Sequence, residues 1–142
     1  MKQKTILIVD DEIGYAEGII DALDFEGFRV LTANSAEVAL RSLKEGVIDL
    51  AMVDIMMPPG HSLENRGVRS DRTGVVLCRT IKELYPRLPV ICLSVVSNID
   101  TIREIERLHI RFLRKGEVPL QTILDTINTL LFGRSFPSAI QE

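Results

Sequence analysis

The chain has 142 residues, 46% of them hydrophobic and 26% charged, with a net charge of −3. That length suits one domain with a substantial core, and the balance is that of a globular rather than a disordered chain. It excludes a surface built to coat nucleic acid, which needs an excess of Lys and Arg. It also excludes a membrane-spanning helix, since no apolar stretch approaches the roughly 20 residues required.

At the N-terminus, Lys2 and Lys4 lead into only a short apolar run that Asp10, Asp11 and Glu12 interrupt, so no signal peptide is expected. Thr5 to Val9 is β-branched and apolar and predicts a buried strand ending in acids. Ile13, Ala16, Ile19, Ile20 and Leu23 then recur at helical spacing up to the stop signal Gly27. Phe28 to Ala33 predicts a second strand. Ser35 can cap a helix with Ala36, Val38, Ala39, Leu40 and Leu43 inward and Gly46 at its end. Ile48 to Asp54 predicts a third strand, a largely apolar run that ends in an acid and reads as buried on both faces.

Pro58 to Thr73 has almost no apolar content and holds His61, Asn65 and three arginines, so a long loop is expected there. Loops of that length in compact domains usually carry function or move. Val75, Val76, Leu77, Ile81 and Leu84 mark the next helix, and Pro86 and Pro89 bracket the turn into a fourth strand, Val90 to Val95. Ser97 or Asn98 can cap a helix carrying Ile99, Ile102, Ile105 and Leu108, charged on its other face. Ile110 to Leu113 predicts a short fifth strand ending at Lys115-Gly116. Leu120, Ile123, Leu124, Ile127 and Leu130 mark a last helix that Gly133 stops. Five alternations of strand and helix predict an α/β fold, a doubly wound parallel sheet with right-handed crossovers.

In such a sheet the carboxyl ends of the strands share one edge, where ligands bind. The residues predicted there are Asp10 and Asp11, Asp54, Ser94 and Lys115. Three crowded carboxylates repel one another and require a hard divalent cation. Mg²⁺ suits oxygen ligands and keeps waters that a phosphate can replace. Lys115 adds a point positive charge and Ser94 a hydroxyl donor. Together these fit an aspartate, Asp54, that attacks phosphorus while metal and lysine neutralise the equatorial oxygens.

On these residues the chain resembles the receiver domain of two-component response regulators. The matching motifs are Ile6-Leu7-Ile8-Val9-Asp10-Asp11-Glu12, Val53-Asp54-Ile55-Met56-Met57-Pro58, Leu93-Ser94 and Phe112-Leu113-Arg114-Lys115, over about residues 4 to 132. The resemblance implies a five-stranded, flavodoxin-like receiver fold with strand order 2-1-3-4-5. It implies one domain over residues 1–133, with an extended loop at about 59–73, then a tail at 134–142. By position, Asp54 is the phospho-acceptor. Asp11 is the direct Mg²⁺ ligand, Asp10 acts near the metal through water, and the Met56 backbone carbonyl is a further ligand. Ser94 hydrogen-bonds the phosphoryl group and Lys115 pairs with it. Phe112 is the aromatic switch that follows Ser94 and reshapes the face of the fourth helix, fifth strand and fifth helix. The expected function is a stand-alone, cytoplasmic, chemotaxis-type receiver, phosphorylated by a sensor histidine kinase or a phosphotransfer protein. Its output is a protein contact, without nucleic-acid binding or membrane insertion. It is not an enzyme beyond its own phosphorylation and dephosphorylation.

Three features depart from the family. Gly116 follows Lys115 where the family usually has a proline in a cis peptide. Val95 follows Ser94 where a small residue is usual, and its bulk would narrow access for small phosphodonors. About ten extra residues precede Gly74. Within them Arg66, Arg69 and Arg72 would either fold over the phosphoryl group, dock a partner, or belong to a solvated insertion.

Each of these residues also has a plainer role open to it. Asp10 and Asp11 can be read as acids favoured by a helix N-terminus, Asp54 as a turn acid, and Lys115-Gly116 as an exposed turn. His61 and His109 have no metal-ligand spacing and read as structural or solvated. Met52, Met56 and Met57 read as packing. Cys78 and Cys92 read as buried, reduced thiols. Phe132, Phe136 and Ile140 read as an end that frays, with docking on the body or on a partner as the alternative. Two rival functions remain: a pseudo-receiver that is never phosphorylated, and a haloacid-dehalogenase-type phosphatase. The phosphatase needs a second acid two residues after the nucleophile, where this chain has Met56.

Overall fold

The computed structural model describes residues 2–57, 67–69 and 72–133. Arg66 and His61 lie outside the described residues, as does the tail from 134 to 142 with Phe136 and Ile140. Among the described residues five strands, β1 Thr5–Val9, β2 Arg29–Ala33, β3 Leu50–Val53, β4 Val90–Ser94 and β5 Arg111–Arg114, alternate with five helices. The helices are α1 Ile13–Phe25, α2 Ala36–Glu45, α3 Thr73–Leu84, α4 Ile99–Arg107 and α5 Leu120–Phe132. The strands form one sheet in the order β2-β1-β3-β4-β5, and every pairing is parallel. This is the doubly wound, flavodoxin-like receiver arrangement that the sequence implied.

The apolar strands owe their lack of alternation to two separate cores. Leu7, Val9, Ala51, Val53, Val90 and Cys92 pack on one face against Ala36, Ala39 and Leu43 of α2, Val75 and Cys78 of α3 and Ile105 of α4. Ile6, Ile8, Leu50, Met52, Ile91 and Leu93 pack on the other face, against Ala16, Ile19 and Leu23 of α1 and Ile123 and Ile127 of α5. The residues of β1, β3 and β4 therefore point alternately into two dry layers, so their runs show no apolar–polar alternation. The edge strands β2 and β5 carry Arg29, Thr32, Arg111 and Arg114. Each fully buried aliphatic side chain contributes about 1.5–3 kcal/mol relative to exposure.

Strand ends are shorter or shifted relative to the sequence pattern. β3 starts at Leu50 rather than Ile48, because the Asp49 carboxylate turns back to accept the Thr5 N–H at 2.8 Å. β2 starts at Arg29, β4 stops at Ser94 and β5 runs one residue later than expected. The caps fall as the side chains dictate. Ser35 Oγ accepts the Val38 N–H at 3.2 Å, and Asn98, not Ser97, accepts the Asp100 and Thr101 N–H groups at 2.9 and 3.1 Å. His109 is exposed at φ 62° just beyond α4, its N–H donating to the Glu106 carbonyl at 3.0 Å.

One helix start is fixed by close backbone contact. The Gly74 N–H donates to the Ile55 carbonyl at 2.9 Å. A Cβ built at Gly74 would lie 2.2 Å from Ile55 Cα and 2.3 Å from the Asp54 carbonyl oxygen. Only glycine lets α3 seat against the backbone that carries Asp54. Gly74→Ala is expected to cost at least about 2 kcal/mol, since the clash is with backbone that cannot rotate away. Urea denaturation checks this, and an unchanged midpoint would contradict it.

Candidate functional site

The residues that follow β1, β3 and β5 meet where the register places Val9 beside Val53 and Ser94 beside Arg114. Lys115 Nζ donates to Asp10 Oδ2 at 2.8 Å and to Asp54 Oδ2 at 3.0 Å. All three groups are buried: Asp10 is 5% exposed, Asp54 4% and Lys115 7%. The other oxygen of each acid is also occupied. Asp10 Oδ1 accepts the Glu12 N–H at 2.8 Å and Asp54 Oδ1 accepts the Met56 N–H at 3.1 Å. Two buried carboxylates are thus held by one ammonium and two amides, which is what makes their charge tolerable away from water.

Asp11 is exposed beside them, and ligand oxygens of Asp10, Asp11 and Asp54 lie within 4.8 Å of one another. Three carboxylates at this spacing fit a hard, oxygen-seeking cation of the Mg²⁺ kind. Asp10 and Asp11 stand just before α1, whose N-cap is Glu12, so the helix N-terminus also favours their charge. Ser94 is fully buried at the end of β4. Its carbonyl accepts the Lys115 N–H at 2.9 Å, and its Oγ accepts the Val96 N–H at 3.4 Å. Phe112 is half-buried against the α2–α4 core, and Val95 is 59% exposed past the strand end. Met56 is exposed. The other methionines that the sequence assigned to packing, Met52 and Met57, are buried in the two cores.

Electrostatics follow from burial. Loss of solvent pushes the Asp54 carboxyl above its ordinary 3.8, against the lowering effect of Lys115 and the Met56 N–H. Burial acts on Lys115 in the opposite sense, but its hydrogen bonds to Asp10 and Asp54 outweigh it and hold the ammonium above its ordinary 10.5. A lysine raised in this way stabilises the fold at all pH values below its ordinary one, and this is lost only as pH climbs through the raised value. Burial pushes the Cys78 thiol up to about 12, and Cys92 also rises well above its ordinary value. Both thiols are free, and neither is a thiolate at neutral pH.

The loop arginines separate. Arg72, at the N-terminal end of α3, makes a bidentate pair with Glu104 of α4 at 3.0 and 2.9 Å, and Arg79 joins the same carboxylate. Arg72 is thus turned to α4 rather than over Asp54. Arg69 is exposed, with its carbonyl accepting from Thr73 Oγ1 at 3.3 Å.

Sequence reasoning missed Tyr15. Its hydroxyl accepts the Gly116 N–H at 2.9 Å, and its ring centroid lies 4.6 Å from Lys115 Nζ. Gly116 has φ +84°, and among the described residues no peptide bond is cis. The available signal was Gly116 itself: replacing a proline by glycine restores an N–H in need of an acceptor.

Residues 6–127 match the family described as the response regulator receiver domain, and the chain belongs to that family. It is 31% identical over 103 residues to the transcriptional regulatory protein ZraR of Klebsiella oxytoca. The match covers 72% of this chain and 20% of that protein, so the chain spans about a fifth of the length of that curated relative. Its fold is similar to a CheY-like receiver domain protein from Methanospirillum hungatei, with a TM-score of 0.77, 23% identity, and coverage of 92% of this chain and 94% of the other. It is also similar to the response regulator TrrA of Thermotoga maritima, solved in complex with Mg²⁺ and BeF, with a TM-score of 0.73, 25% identity, and coverage of 91% and 100%. Among the described residues no helix is long and apolar enough to cross a membrane.

The charges dictate two measurable outcomes. Lys115→Met leaves two buried carboxylates without their cation and is expected to cost about 3–5 kcal/mol near neutral pH. Without Lys115 the Asp54 carboxyl rises further, so the folded variant takes up a proton that the unfolded chain does not, and the deficit shrinks on mild acidification. Urea denaturation at the two pH values checks this, and an equal deficit at both would refute it. The Arg72–Glu104 pair is partly exposed, so a double-mutant cycle with Arg72→Ala and Glu104→Gln is expected to give a coupling of about 1 kcal/mol or less. Hydrogen bonding to Arg72, with its charge and that of Arg79, holds Glu104 below its ordinary 4.5. The coupling should therefore persist above that value and vanish as pH falls through the lowered one.

Proposed function

We propose that this receiver takes a phosphoryl group onto Asp54 from a histidine kinase or phosphotransfer protein and transmits the change through a protein contact. The observation that carries this reading is the single ammonium of Lys115 shared between Asp10 and Asp54. It fixes Asp54, the acceptor, beside Asp10, and the oxygens of both acids form one cluster with Asp11.

Asp54 attacks phosphorus through a carboxylate oxygen. A P–O bond forms as the P–N bond to the donor imidazole breaks, and the electron pair leaves with that nitrogen. Lys115 then exchanges a carboxylate oxygen for a phosphoryl oxygen, and Ser94 exchanges its link to the Val96 N–H for a hydrogen bond to the same group. Asp10, Asp11, Asp54 and the Met56 carbonyl would hold Mg²⁺, which would offset the negative charge of the transferring group. Phe112 moves into the space that Ser94 vacates, which alters the face made by α4, β5 and α5. In this reading the chain does signalling rather than metabolic turnover, because the phosphoryl group stays on its own Asp54. It works in the cytoplasm, and its net charge of −3 favours a protein over DNA as its direct contact.

The test incubates the protein with Mg²⁺ and acetyl phosphate, and separately with beryllofluoride. Intact mass and the amide spectrum are then recorded. Wild type is expected to gain one phosphoryl group and to shift resonances around β4, α4 and β5. Asp54→Asn should do neither, and chelation of Mg²⁺ should abolish both. Labelling that survives Asp54→Asn would remove Asp54 from the role, and a wild type that takes neither probe would be a pseudo-receiver.

A further inference from the structure

Tyr15 touches the site through Lys115, and a role for it there rests on the reading of Asp54 as phospho-acceptor. Lys115 stands on a flexible four-carbon stem, and an ammonium has no directional preference that would place it by itself. Its position must come from its backbone and from what surrounds its head. On the amino side the backbone is pinned by the Lys115 N–H on the Ser94 carbonyl at 2.9 Å. The amides of Glu117 and Val118 turn back onto the Arg114 carbonyl at 3.3 and 3.2 Å, so they close the turn on itself without tying it to another element. The Gly116 N–H on Tyr15 Oη at 2.9 Å is the contact that fastens the carboxyl side of Lys115 to α1.

The same side chain also receives the ammonium, with its ring centroid 4.6 Å from Nζ. Tyr15 can serve as an anchor because α1 is itself fixed: the adjacent Ala16 is 1% exposed and Ile19 is 5% exposed in the core. Gly116 suits the arrangement twice over. Its φ of +84° lies where a proline, held near −65°, cannot go. It also keeps the N–H that a proline would lack.

We propose that Tyr15 is the positioning residue for Lys115. Its hydroxyl locks the β5–α5 turn through Gly116, and its ring keeps the ammonium in the pocket when Asp54 ceases to be a free carboxylate. This chain would then place its lysine by a tyrosine–glycine pair.

The test uses the full chain with Tyr15→Phe, which keeps the ring and loses the acceptor, and Tyr15→Leu, which loses both. In the metal-free protein, hydrogen exchange at the Gly116 amide is expected to speed up at least about fivefold in Tyr15→Phe, as loss of one neutral hydrogen bond implies. The urea midpoint should fall by no more than the loss of one neutral hydrogen bond implies. The rate of Asp54 labelling by acetyl phosphate should fall about fivefold in Tyr15→Phe and by a further factor of about five in Tyr15→Leu, where the cation–π contact is also lost. Only Tyr15→Leu should move the Lys115 Nζ resonance out of its ring-shifted position. Wild-type exchange at Gly116 together with a wild-type labelling rate in Tyr15→Phe overturns the proposal. If wild type itself takes no phosphoryl group, the reading of Asp54 fails, while Gly116 exchange and the Nζ shift still decide the role of Tyr15. If Tyr15→Leu does not fold, Tyr15→Phe decides alone.

Discussion

A buried carboxylate needs a positive partner, and at the centre of this protein one lysine serves two of them. Asp10, Asp54 and Lys115 follow strands β1, β3 and β5, so their meeting requires β1, β3, β4 and β5 to be assembled in register. Sequence separations of 105 and 61 residues are closed by two hydrogen bonds. Such a triad adds little net stability, because removing the charges from water offsets most of their attraction. What it supplies is a defined place: a carboxylate kept at a fixed position, raised in pKa by burial, and partnered by a cation that can change acceptor without leaving the pocket.

The sheet delivers these groups to a common rim because parallel strands all end in the same direction. The two cores hold the strands from both faces and leave the turns beyond them to carry polar residues. Those turns are only a few residues long on β1, β4 and β5, which limits where Asp10, Ser94 and Lys115 can stand. On β3 the chain departs from that economy. Gly74 brings α3 back onto the Asp54–Ile55 backbone, and Arg72 ties the start of α3 to Glu104 on α4. The segment after the acceptor is therefore joined at its far end to the helix that the proposed switch would move.

Most of the architecture was legible because it follows from periodicity. Apolar runs without alternation told of strands covered twice, and Ser35 and Asn98 announced helix starts through their own hydrogen-bonding chemistry. The site was legible because each of its residues ends a strand, and strand ends in this topology converge. Boundaries were less so: Asp49 looked like part of β3, yet its carboxylate serves the Thr5 amide across 44 residues of sequence. Tyr15 and Glu104 were invisible for the same reason. Each occupies an ordinary position on an amphipathic helix, and only the three-dimensional neighbour, Gly116 in one case and Arg72 in the other, gives it a task.

The close seating of Gly74 has a consequence for how this chain tolerates change. Met57, buried on one side, and Gly74, clamped to the Asp54–Ile55 backbone on the other, act as two fixed posts. Lengthening whatever runs between such posts raises the closure entropy only logarithmically with residue count. The rim beside the acceptor is thus a place where evolution, or an engineer grafting a reporter peptide, can splice in new recognition material while the carboxylate beneath keeps its station.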